Sequence, residues 1–219
     1  MTMSAAKPHE SRSPPRAVAI SGIVFAILFM ASIAMIRLAI PADLRDAGAW
    51  LADSTLRNRV QIALNLVPFT GIAFLWFMAV LRNRFGLYED RFFSTVFLGS
   101  GFLFVAMLFA AVSVSQGILG TLATGPQEQN ETYRVGRVMA YTLMKTFGMK
   151  MAAVFMFVTS TIGLRTEVLA RWVSFVGFAF GLVLLLTIAD IDWIVLLFPL
   201  WVLLLSANIL LSDYQERNP

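Results

Sequence analysis

Apolar residues fall along this chain in blocks of about 20, divided by short charged, polar or proline-containing stretches. A helix rises 1.5 Å per residue, so a block of that length crosses a hydrocarbon layer ~30 Å thick. The pattern predicts six spans: Ala17 to about Ile40, Val60 to Leu81, Phe92 to about Leu119, residues 138–164, Leu169 to Ala189 and Trp193 to Leu211. The fourth lies within a longer helix that runs from Tyr133 to Arg165. Pro41 ends the first span, Asp53 or Ser54 caps the second, and Pro68 is placed to kink it. In the polar connection after Pro41, Leu44, Ala47, Trp50 and Leu51 have the spacing of a short interfacial helix. Residues 1–16 are polar and rich in Pro and Ser, which predicts a disordered tail; residues 212–219 form a second tail. The first apolar run exceeds the core of a signal peptide and is followed by more spans, so it reads as a retained anchor.

Composition supports this pattern. Of the 219 residues, 58% are apolar and only 14% charged, against roughly 25% charged in soluble domains. The fold class is therefore an all-α, polytopic transmembrane bundle. There is no cysteine, and the one histidine, His9, lies in the tail. The predicted spans carry no His, Cys, Asp or Glu, so an intramembrane zinc, carboxylate-bridged iron or bis-histidine haem site would lack ligands. No cofactor is expected. The basic residues punctuate the spans and form no continuous stripe, which argues against nucleic acid as a partner and for membrane lipids.

Six spans put both termini on one side. That side holds nine cations (Lys7, Arg12, Arg16, Arg82, Arg84, Arg91, Arg165, Arg171 and Arg217). The other holds six (Arg37, Arg45, Arg57, Arg59, Arg134 and Arg137), or eight with Lys145 and Lys150. The positive-inside rule then gives both tails to the cytoplasm. Trp50, Trp76, Trp172 and Trp193 fall near predicted interfaces, as aromatic belts do.

Three constellations carry possible chemistry. At 100° per residue, Arg134, Arg137, Tyr141 and Lys145 share an arc of about 80° at the outer end of the long helix. This basic stripe is either a solvated helix end or a surface for an anion, such as a lipid phosphate or an acidic partner. Lys150 points to the opposite face and reads as a lysine reaching for the interface. Asn65, Pro68 and Lys150 together are the residues of a possible transport path. Gln61, Asn65, Ser100, Ser113, Ser115, Gln116, Thr159, Ser160, Thr161 and Asn208 are expected to hydrogen-bond across helices, while a serine (Ser113 or Ser115) activated by Lys145 or Lys150 is the enzymatic alternative. Gly99, Gly101, Gly177 and Gly181 mark close helix packing, within one chain or at a homo-oligomer seam.

The stretch "LWFMAVLRNRFGLYEDRFFSTVFLGSGFLFVAMLFAA", Leu75 to Ala111, resembles a family of uncharacterised bacterial integral membrane proteins of about this size. The resemblance covers about a sixth of the chain. It implies a bacterial inner-membrane location and assigns no activity. The expected role is non-enzymatic, that of an accessory, assembly or envelope-associated protein. A small-solute or lipid transporter and a serine–lysine membrane hydrolase are the alternatives.

Overall fold

In hydrocarbon every backbone N–H and C=O must find its partner within the protein, and a helix achieves this inside one segment. The computed structural model describes residues 15–41, 48–85, 91–121, 129–187 and 192–217. Its elements are α1 (Pro15–Ala39), a 3-10 turn (Ala49–Ala52), α2 (Ser54–Phe85), α3 (Arg91–Thr121), α4 (Gln129–Tyr141), a π-helical segment (Thr142–Gly148), α5 (Met149–Thr166), α6 (Arg171–Leu186), a second 3-10 turn (Asp192–Leu196) and α7 (Leu197–Arg217). Because α4, the π segment and α5 run on as one rod, the described residues form six helical rods. Five helices are long and apolar enough to cross a membrane, so the chain is a multi-pass membrane protein. The tail at 1–14, Leu44, Ala47 and Asp190 lie outside the described residues.

Several boundaries differ from expectation. The first helix starts at Pro15, where proline's fixed φ and missing N–H suit a first helical position. Asp53 caps α2, its Oδ1 accepting from the backbone N–H groups of Thr55 at 2.7 Å and Leu56 at 3.3 Å. The helix is continuous through Pro68. The rod that contains Lys145 and Lys150 is not α-helical throughout: Thr142–Gly148 closes its turns one residue later, the N–H of Met149 reaching the carbonyl of Met144. The fifth predicted span is shorter than expected. α6 has 16 residues, roughly 24 Å, because Leu169 and Ala170 belong to the turn before it and Thr187 is already extended. α7 continues past Leu211 to Arg217.

Residue pairs fix the topology. Gly22 of α1 lies against Phe77 of α2 and Ser206 of α7, and Phe25 lies against Phe74 and Phe198. Both neighbours therefore run antiparallel to α1, and the start of α1 and the end of α7 lie at the same end of the bundle. Arg82 donates to Ser94 at 3.1 Å, while Gly71 meets Phe109, so α2 and α3 are antiparallel. Ile118 meets Gly136 and Phe97 stacks on Phe155, which sets α3 against the α4–α5 rod. Gly163 meets Leu169 and Gly181 approaches the Ala153 carbonyl, so α6 folds back on α5. At the same level Trp201 of α7 donates from its indole to the Val173 carbonyl at 3.2 Å, and Asn208 accepts from Ala170 at 3.4 Å.

The centre of the bundle is aromatic. Phe74 is fully buried, and its ring lies 4.9 Å from Phe25, 5.1 Å from Phe104, 5.2 Å from Phe155 and 5.7 Å from Phe198. Edge-on and tilted pairs of this kind contribute ~0.5–1.5 kcal/mol each beyond simple burial. The hydroxyls in the spans behave differently from the expectation of cross-helix bonds. Ser100, Ser113, Ser115 and Thr161 donate to carbonyls of their own helices, because a short side chain reaches the carbonyl one turn back more easily than a neighbouring helix. Thr159 and Ser160 are buried with no hydrogen-bond partner. Among these residues the cross-helix role holds for Gln116, which donates to Asn65, and for Asn208.

Close approach explains the glycines unequally. A Cβ on Gly177 would collide with Ser160 Oγ and the Trp201 indole, whereas one on Gly99 would meet nothing within 4 Å. Gly177→Val is expected to lower stability by about 1–3 kcal/mol, while Gly99→Ala leaves it within about 0.5 kcal/mol. Reversible unfolding of the two variants in mixed micelles measures this. Equal effects would remove Gly177 from the packing argument.

Candidate functional site

The bundle end away from the termini is not filled. A half-open cavity of about 190 Å³ lies there, between α1, α2, α3 and the α4–π rod. Helical periodicity makes its walls. On α1 the lining residues are Phe29, Ser32, Ile33, Ile36 and Arg37, and Ile40 just after it continues the stripe at three- and four-residue steps. Val60, Leu64 and Val67 repeat that step on α2, and Leu108, Ala111, Val112 and Ser115 on α3. The stripe on the long rod is Tyr133, Arg137, Ala140, Tyr141, Met144 and Lys145. From Phe29 to Arg37, or from Leu108 to Leu119, the walls run roughly 12–16 Å along the helix axes. Phe29, packed on Phe25 and Phe104, closes the floor.

The lining is largely apolar and also carries polar groups. Tyr133 and Arg137 lie at the mouth, level with the end of α3, while Lys145 springs from the deep end, one turn below Tyr141. Tyr133 is the organising residue at the mouth. It is buried, and its hydroxyl oxygen accepts from the Trp50 indole at 2.9 Å and from Arg137 Nη1 at 3.1 Å. Arg137 also donates to the Pro41 carbonyl, which ties the rod to the end of α1. Lys145 donates to the Tyr141 hydroxyl, and its ammonium sits 4.6 Å from that ring's centre. The chain reaches Trp50 through Gly48, whose φ of +83° suits glycine and whose missing Cβ leaves room for the Tyr133 ring.

The π segment positions Lys145. It occupies Thr142–Gly148, with Gly148 buried and its missing Cβ sparing the Leu143 carbonyl and Met107. Wider turns change the phase between Tyr141 and Lys150, so the angle calculated for an uninterrupted α-helix does not carry through the rod. Segments of this kind recur at functional sites.

Of the predicted basic stripe, Arg137, Tyr141 and Lys145 line the cavity; Arg134 is exposed outside it. The three transport-path residues are not brought together there. Asn65 is exposed on the α2–α3 seam and accepts from Gln61 at 3.4 Å and Gln116 at 3.3 Å. Pro68 is exposed, and Lys150 is half-buried on α5; neither lines the cavity. Gly101 lies against Met78, and Gly177 and Gly181 pack inside the chain. Ser115 shares the cavity with Lys145, but its hydroxyl donates to the Ala111 carbonyl at 2.8 Å, not to the lysine. Sequence reasoning did not single out Arg37, Trp50 and Tyr133 for the site. Their signal was weak: Arg37 is a lone cation at a span end, and Trp50 bonds to a residue 83 positions away.

No protein-family model matches the chain, and neither a curated protein nor a solved structure matches it.

Removing the Tyr133 hydroxyl leaves a buried indole N–H without its acceptor, a loss of about 1–3 kcal/mol. Tyr133→Phe is expected to destabilise by that amount. Combined with Trp50→Phe, the two changes should fall short of additive by about 0.5 kcal/mol or more. Strict additivity in unfolding measurements would mean that the two side chains do not interact.

Proposed function

We propose that this chain is a non-enzymatic, lipid-handling protein of the bacterial inner membrane, holding one membrane amphiphile in the cavity between α1, α2, α3 and the long rod. One observation carries the reading: a cavity with a largely apolar lining also presents Arg37, Arg137 and Lys145. An amphiphile offers partners for both kinds of wall. Water alone would leave the apolar walls unfavourably wetted, and a polar solute would leave the shaft unused.

The topology in this reading is six spans with both tails in the cytoplasm. α6 counts as the fifth span because it runs antiparallel between α5 and α7. At roughly 24 Å it is short, and local bilayer thinning accommodates a mismatch of that size at modest cost. The nine cations on the terminal side support the orientation. The cavity then opens toward the outer leaflet. Cysteines introduced at Ser11 and Ser212 are expected to label only from the cytoplasm, and one at Thr124 only from outside. Labelling of Ser11 and Ser212 from opposite sides would exclude an even number of crossings.

An assembly role is the second reading. It is favoured by the face of α3, where Ala106 and Ser113 are exposed and a Cβ on Gly99 or Gly117 would meet nothing.

The cavity reading makes its own prediction. Ala140 lines the space half-buried, and Ala140→Phe would fill part of it. Wild-type protein gently extracted from membranes should carry about one lipid per chain in native mass spectra, and the filled variant much less. Equal lipid content in the two proteins would end the cavity as a binding site.

A further inference from the structure

We infer that a second copy of this chain docks on the α2–α3 face, in the half away from the termini, where the carboxamides of Gln61, Asn65 and Gln116 meet their counterparts across a twofold axis. This goes beyond the cavity reading and does not depend on it; it names the partner of the assembly role.

The three carboxamides sit on the outside of the bundle. Asn65 is exposed, and its Oδ1 accepts from Gln61 Nε2 at 3.4 Å and from Gln116 Nε2 at 3.3 Å. Arg59 and Arg82 stand roughly 35 Å apart along α2, a little more than the ~30 Å of the hydrocarbon layer. Asn65 is roughly 9 Å below Arg59 on this axis, and Gln116 is level with it. The cluster therefore faces lipid tails.

It has hydrogen-bonding capacity left over. A carboxamide carries two N–H donors and an oxygen with two lone pairs. The two glutamines fill both lone pairs of Asn65 Oδ1, whereas Asn65 Nδ2, Gln61 Oε1 and Gln116 Oε1 make no hydrogen bond among the described residues. Pro68, exposed one turn further along α2, has no N–H to offer the Leu64 carbonyl, which adds one more acceptor to the same side. Lipid tails satisfy none of these groups.

The mixture of donors and acceptors selects the occupant. A lipid ester could accept from Asn65 Nδ2 but has nothing to give the glutamine oxygens. A carboxamide is its own complement, the N–H of one meeting the oxygen of the other and the reverse. A twofold axis lays a patch on its own copy, so every bond made across it is made twice. The adjoining surface of α3 admits a close neighbour. Ser113, one turn deeper than Gln116, is exposed with its hydroxyl already donating to the Phe109 carbonyl at 2.9 Å. Gly117 is exposed as well, and a Cβ there would meet nothing within 4 Å.

The chain has no cysteine, so introduced ones report cleanly. Full-length protein labelled at Ser212→Cys with a donor or an acceptor dye is reconstituted in phosphatidylcholine liposomes, and energy transfer is followed as the protein is diluted in lipid. A monomer–dimer curve is expected. Asn65→Leu combined with Gln116→Leu should shift it about tenfold toward monomer, since each bond removed is lost twice. Oxidative cross-linking probes the same face with the carboxamides intact. Ser113→Cys or Gly117→Cys should give covalent dimers, and Val183→Cys, exposed on α6, should not. No energy transfer at any dilution would overturn the second copy as partner, and so would cross-linking at Val183→Cys alone. An unshifted curve for the double variant would remove the carboxamides from the seam. The lipid carried by the double variant in native mass spectra should equal that of the wild type, so loss of the dimer and loss of the cavity reading are told apart.

Discussion

The ring of Phe74 is the point where α1, α2, α3, α5 and α7 meet. Lipid tails are as apolar as the helices, so there is little hydrophobic force to draw helices together inside the membrane. What holds them is contact, many small dispersion terms that depend on close geometry. Phe74 and four phenylalanines from four other helices meet that requirement, the four ring centres lying 4.9–5.7 Å from that of Phe74. Toward the termini the bundle tightens further: Gly22, Gly101 and Gly177 admit neighbouring side chains, and Arg165 lies 4.5 Å over the Phe93 ring. Away from the termini the large rings give way to Ser32, Ala111, Ser115 and Ala140. The cavity is the space those small residues do not fill, and the phenylalanine layer is its floor.

This division gives the molecule a rigid half and a receptive half. Polar groups follow the same split. Asn208, near the termini, joins the α5–α6 turn to α7 and serves packing. At the opposite end Trp50, Tyr133 and Arg137 form a chain of hydrogen bonds that fixes side chains around an opening. Sites whose side chains are locked by neighbours hold their geometry better than sites left to free rotamers. The Tyr133 hydroxyl is thus a structural part of the mouth even though it comes from the polar start of a helix.

Five long apolar helices were legible because apolar block length is a direct physical signal of membrane thickness. The Asp53 cap was legible for a similar reason, since a short acid before a helix has few other roles. The basic stripe was readable in part: Arg137, Tyr141 and Lys145 line the cavity, while Arg134, inside the same arc, is exposed outside it. Arg37 could not be grouped with them, because residues about a hundred positions apart are joined only by packing. The short α6 was hidden by an apolar run that continues past the helix ends into turns. The π segment left no mark, since residues such as Thr142, Leu143 and Met144 suit an α-helix equally well. Asn65 looked like a mid-membrane polar group. Its carboxamide makes the cross-helix bond expected of it, accepting from Gln116 on α3, and also accepts from Gln61 on its own helix.

The π segment also limits how this chain can change its length. Closing a turn one residue late is equivalent to carrying one extra residue in the rod between Gln129 and Thr166. If Thr142–Gly148 were to close as α-helix with all its residues kept, the extra residue would have to appear as rotation. Everything before it would then rotate by about 100° relative to α5. Arg137 and Tyr141 would swing off the cavity, and Tyr133 would leave Trp50. A one-residue deletion inside the segment would therefore leave the cavity-facing residues in place, whereas a one-residue deletion elsewhere in the rod would turn them away while leaving the apolar span intact.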